Sequence, residues 1–145
     1  MSDDTARSTR RELDGSAASI TDARDHARTF LDHGTPPLGD RLRGDALVAV
    51  SELVTNAVRH APGPYVLALH DDGRHLTIAV SDTHSTPPAA RPKDLEGGTG
   101  GLGWHVLREI AGTVHTELHP VGKTVAVTLD RERDRIREGI SAAGS

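Results

Sequence analysis

Residues 40–61 read DRLRGDALVAVSELVTNAVRHA and run straight into Pro62-Gly63-Pro64. Proline cannot continue a helix, so the end of this segment is fixed. Ahead of that stop the apolar residues recur at helical spacing. On a wheel of about 100° per residue, Ala46, Leu47, Val50, Leu53, Val54, Ala57, Val58 and Ala61 form one face. A long helix with a single apolar face must lie on another layer, and this requirement shapes the reading of everything around it.

The remaining segments supply that layer. Ile20, Ala23, Ala27, Phe30 and Leu31 predict an earlier helix over Ile20–His33, closed by Gly34. Residues 1–7 read as disordered, with a short first strand near Ser8–Leu13. Tyr65–His70 and Leu76–Ser81 read as strands joined by an Asp71-Asp72-Gly73-Arg74 turn. A third helix is expected over Leu102–Ala111, closed by Gly112. A second hairpin follows, Thr113–His119 and Thr124–Leu129, around Pro120-Val121-Gly122. No internal repeat is visible. The expected fold class is α/β. A two-layer sandwich is expected, in which about three helices cover one face of a mixed, mostly antiparallel sheet. The expected organisation is an N-terminal tail at 1–15 holding the short strand, one domain at 16–130, and a C-terminal tail at 131–145.

Composition narrows the function classes. The chain has 145 residues and no cysteine, so disulfides, thiol nucleophiles and cysteine metal sites are excluded. No apolar run approaches the ~18 residues of a membrane span, and the charged start MSDDTARSTRRELDG has no apolar signal region. A soluble, cytoplasmic protein is expected, with no membrane partner. The formal net charge of −4 and an aromatic content of 2% argue against direct nucleic-acid binding. The nine histidines are scattered, and no H-E-x-x-H run suggests a metal hydrolase.

Three groups of residues carry potential chemistry. On the flank of the long helix fall Asp45, Glu52, Asn56 and His60, while Thr55 and Arg59 occupy the solvated side. Glu52 and Asn56 are one turn apart and can aim into the same cleft. Taken alone, they are also readable as ordinary boundary residues. In the strand at 76–82, alternation puts Leu76, Ile78, Val80 and Asp82 on one face. A carboxylate there either caps a turn or accepts a hydrogen bond from a buried ligand, because an unpaired charge would be costly.

The third group is EGGTGGLGWHV at 96–106, at the end of a long polar loop. Gly98 to Gly103 formally match G-x-G-x-x-G. The preceding Pro87-Pro88-Ala89-Ala90-Arg91-Pro92 is a poor central strand, which counts heavily against a dinucleotide fingerprint. Gly122-Lys123-Thr124 lacks the first glycine of a P-loop, since Glu117 stands there. What survives is glycine-rich backbone entering a helix, where free N–H groups and the helix dipole favour an anion.

Together these residues resemble the Bergerat-fold ATPases, the group that includes gyrase and the catalytic domains of histidine kinases. SELVTNAVRHA is similar to their N box. GGLGWHVLREIA is similar to the second glycine box of the bacterial anti-sigma-factor serine kinases. The resemblance covers about residues 20–129. It implies ATP and Mg²⁺ as cofactors and transfer of phosphate to a serine or threonine of a partner. By matching position, Asn56 would coordinate Mg²⁺, and Glu52 would be the catalytic group that orients or deprotonates the attacking hydroxyl. Asp82 would accept from the adenine amino group. Gly98, Gly100, Gly101, Leu102 and Gly103 would place backbone near the phosphates, with residues 83–99 as a lid and Gly100 to Gly103 as its hinge. His60 would support the pocket. Thr124 would belong to the nucleotide site, although alternation with Val125, Val127 and Leu129 turns it away. The implied partners are a sigma factor and an anti-anti-sigma factor, with a homodimer as an open option. Two positions depart from the family pattern: His84 stands where a glycine is usual, and Lys123 where a threonine is usual. A non-catalytic, nucleotide-dependent binding module is the alternative. A histidine-kinase fragment is disfavoured, because no phosphoacceptor helix pair precedes residue 20.

Overall fold

The computed structural model describes residues 6–34, 37–61, 63–82, 107, 110 and 113–131. The elements run β1 (Arg7–Leu13), α1 (Ala18–Asp32), α2 (Asp40–His60), β2 (Tyr65–Asp71), β3 (His75–Asp82), β4 (Thr113–Leu118) and β5 (Lys123–Asp130). The strands make one five-stranded sheet in the order β1-β2-β3-β5-β4. Both helices lie on one face, with α1 over β1 and β2 and α2 over β3 and β5. This is the two-layer sandwich the periodicities predict.

The sheet differs from a mixed one. Every pairing among the described strands is antiparallel. β3 and β4 run in the same direction, but β5 lies between them, so the two never pair. The N-terminal reading also needs correction. Arg7, placed in a disordered tail, starts β1, lies over the Phe30 ring and donates to the Phe30 carbonyl at 3.0 Å. Its charge is thus held by a π face and a carbonyl rather than left in water.

The layers join through alternating rows. Leu67 and Leu69 of β2, Leu76, Ile78 and Val80 of β3, and Val125, Val127 and Leu129 of β5 point at the helices. They meet Ala46, Ala49, Val50, Leu53 and Val54 of α2. Burying each of the larger side chains stabilises the fold by about 1.5–3 kcal/mol. Alanines at 46, 49 and 57 let α2 approach the sheet closely. Leu107 and Ile110 are helical, with Leu107 fully buried in the same core. The rest of the expected third helix lies outside the described residues.

Local chemistry fixes the ends. α1 starts two residues before the predicted Ile20, and just ahead of it Ser16 accepts the Ser19 N–H on its hydroxyl at 3.2 Å and on its carbonyl at 3.0 Å. In the β2–β3 turn, the Asp72 carboxylate accepts the N–H groups of Arg74 and His75 at 2.8 and 2.7 Å. Those bonds hold its carboxyl below the usual carboxylate range, the His75 N–H having the larger effect.

Candidate functional site

Helix α2 carries Glu52 and Asn56 on a flank that is neither core nor open solvent; both side chains are half-buried. Their apolar neighbours Leu53 and Ala57 face the core, which fixes the rotation of the helix and so the direction of the flank. Neither side chain bonds to any described residue. His60, one turn further on, is exposed in the last turn. Among the described residues, no group of three or more His, Cys, Asp or Glu side chains could hold a metal ion. Mg²⁺ keeps several waters and uses few protein ligands, so an amide and a carboxylate one turn apart on a half-buried helix flank fit it.

Asp82 closes the core-facing row of β3 and is 7% exposed. In register it sits between Tyr65 and Lys123. Its charge is not left bare, because Lys123 Nζ donates to Oδ2 at 2.9 Å. Sequence reasoning treated Lys123 only as a replacement for threonine. Strand order brings the two together: Lys123 opens the strand paired with β3, on the same face as Val125, and thus faces Asp82. Gly122 makes this closeness possible. Its φ is +84°, and a Cβ there would lie 2.1 Å from the Asp82 carbonyl oxygen.

Thr124 does not join this group. Lys123 and Val125 face the helices, so Thr124 between them faces the open side of the sheet. It shares a hydrogen bond with Ser81 at 2.8 Å and another with His119 Nε2 at 2.9 Å. Thr124, which the resemblance sets in the nucleotide site, thus lies on the opposite face of the sheet from Asp82 and Lys123. The structure thus brings Asp82 and Lys123 together at the end of the sheet that α2 covers. Glu52 and Asn56 share the edge of that covering helix. Gly98, Gly100, Gly101, Leu102 and Gly103, the lid at 83–99 and the departure at His84 lie outside the described residues.

A family described as "Histidine kinase-like ATPase domain" matches residues 14–129. No curated protein matches the chain. Among solved structures, the chain is similar to the histidine kinase domain of a blue-light activated histidine kinase from Erythrobacter litoralis. The TM-score is 0.51 at 20% identity, over 66% of this chain and 48% of that one. At that identity the likeness concerns the fold, and the chain spans about half of the matched domain. None of the described helices is long and apolar enough to cross a membrane. The family match runs through α1, α2, the Asp82 strand and the last hairpin, and on that extent the chain belongs to the histidine kinase-like ATPase domain family.

Proposed function

We propose that this protein binds ATP with Mg²⁺ and phosphorylates a serine or threonine of a partner, acting as an anti-sigma-factor-like regulator in the cytoplasm. The observation that carries the reading is the pair on α2. Glu52 and Asn56 stand one turn apart, half-buried, and bond to no described residue. A carboxylate and an amide in that state are available to a ligand.

In this reading Asn56 supplies the protein's ligand to the metal. Mg²⁺ held there would supply charge neutralisation on the phosphates, the main requirement of phosphoryl transfer. Glu52 orients the partner's hydroxyl and takes its proton. Asp82 accepts from the adenine amino group. Gly98, Gly100, Gly101, Leu102 and Gly103 offer backbone N–H groups to the phosphates, as the family resemblance implies. The partners would be a sigma factor, which is sequestered, and an anti-anti-sigma factor, which receives the phosphate. A homodimer is compatible with this arrangement.

The second reading is a binding module that uses nucleotide without transferring phosphate. It uses the same nucleotide site and needs no proton acceptor at Glu52. The test is transfer of label from γ-labelled ATP to candidate anti-anti-sigma proteins by the purified chain. Label on a serine or threonine supports the kinase. Nucleotide binding without transfer to any of them supports the module.

A further inference from the structure

We propose that Lys123 reads the nucleobase directly, donating to the ring nitrogen next to the amino group that Asp82 accepts. The inference rests on the nucleotide reading above and deepens it. Lys123 Nζ and Asp82 Oδ2 lie 2.9 Å apart on the helix-facing side of the sheet, with side chains 23% and 6% exposed. A cationic donor and an anionic acceptor therefore stand side by side at the end of one core row. Adenine presents the matching edge, an amino donor beside a ring acceptor.

The ion pair need not break to receive it. An ammonium has three donors, so Lys123 can hold Oδ2 and still donate outward. The other oxygen, Oδ1, accepts no bond from any described residue. Glycine at 122 matters to that oxygen, since a Cβ there would stand 3.0 Å from it. Leu118 pairs with Lys123 in register on the same face and is 62% exposed. It offers apolar surface beside the pair, as a planar base requires. A purely structural ion pair explains the 2.9 Å contact. It requires neither the second carboxylate oxygen without a described partner nor the exposed leucine.

The test is calorimetric binding of ADP and of 1-deaza-ADP, which has CH in place of the ring nitrogen. Wild type, Lys123→Met, Lys123→Arg and Asp82→Asn are compared. Wild type is expected to bind 1-deaza-ADP about tenfold or more weakly than ADP, the loss of one bond from a charged donor. Lys123→Met is expected to bind both alike, at the weaker level, and Lys123→Arg to keep the discrimination. Equal binding of the two ligands by wild type overturns the proposal even if Lys123→Met fails to fold. So does discrimination that survives in Lys123→Met. No ADP binding by wild type defeats the nucleotide reading itself, whereas ADP binding by Asp82→Asn as tight as wild type overturns the proposal and leaves that reading standing.

Discussion

Arg131 Nη1 donates to both oxygens of the Asp71 carboxylate, at 2.9 and 2.8 Å, across 60 residues of sequence. Both side chains are almost fully buried, and Arg7 approaches the same carboxylate at 3.5 Å. The Arg131 N–H also bonds to the Arg74 carbonyl at 2.8 Å. The end of β5 is thereby tied to the β2–β3 turn and to the start of β1. The sequence puts Arg131 in a charged tail, yet it belongs to the folded body.

Removing one partner of this pair leaves a charge buried without compensation. Arg131→Met is expected to lower the free energy of unfolding by about 3–5 kcal/mol in denaturant titrations. A loss below about 1 kcal/mol would mean that Arg7 and the Gly73 N–H, which donates to Asp71 Oδ1 at 2.9 Å, satisfy Asp71 unaided.

Gly122→Ala probes the join between β3 and β5. Alanine is strained at a φ of +84°, and its Cβ would meet backbone atoms of Asp82 that cannot swing aside. A destabilisation above about 1 kcal/mol is expected. Weakened nucleotide binding should accompany it, since the backbone that must shift carries Asp82. Wild-type melting and wild-type binding together would contradict this account of the turn.

His26 gives a pH signature. Burial holds its pKa below the ordinary value, Arg11 adds to the effect, and Asp22 opposes it. The Thr9 hydroxyl bonds to its Nε2 at 3.0 Å. The unfolded chain therefore binds this proton more readily than the folded one, so the stabilisation is lost as pH falls below about 6.5. Carboxylates with depressed values, such as Asp72, lose their contribution only nearer pH 4 or below. Urea midpoints between about pH 7.5 and 5.5 should fall more steeply for wild type than for His26→Asn. Parallel slopes would show that His26 is protonated equally in both states.

Glu52→Ala separates the two functional readings. In a kinase, loss of the base lowers phosphate transfer by about 10²–10⁴-fold while partner binding persists. In a module without catalysis, partner binding is the only activity to measure, and Glu52→Ala leaves no transfer to lose.

The sequence was most legible where one period dominates. The face of α2, the row that ends at Asp82 and both hairpins follow from spacing alone, because a helix with one apolar side and strands that alternate admit few arrangements. Long-range partners were not legible. That Lys123 faces Asp82, or that Arg131 reaches Asp71, depends on strand order, which local periodicity does not contain. Thr124 shows the difference. A family resemblance set it in the nucleotide site, but alternation on β5 turns it to the open face, where Ser81 and His119 hold it.

The central claim is that the flank of α2 and the end of β3 form a site for a metal-bound nucleotide. Calorimetry of ATP binding with and without Mg²⁺, on wild type and Asn56→Ala, tests it most directly. Wild type is expected to bind ATP more tightly with Mg²⁺, and Asn56→Ala to lose that dependence while keeping its fold. Binding by Asn56→Ala with undiminished metal dependence, or no ATP binding by wild type, would contradict the account.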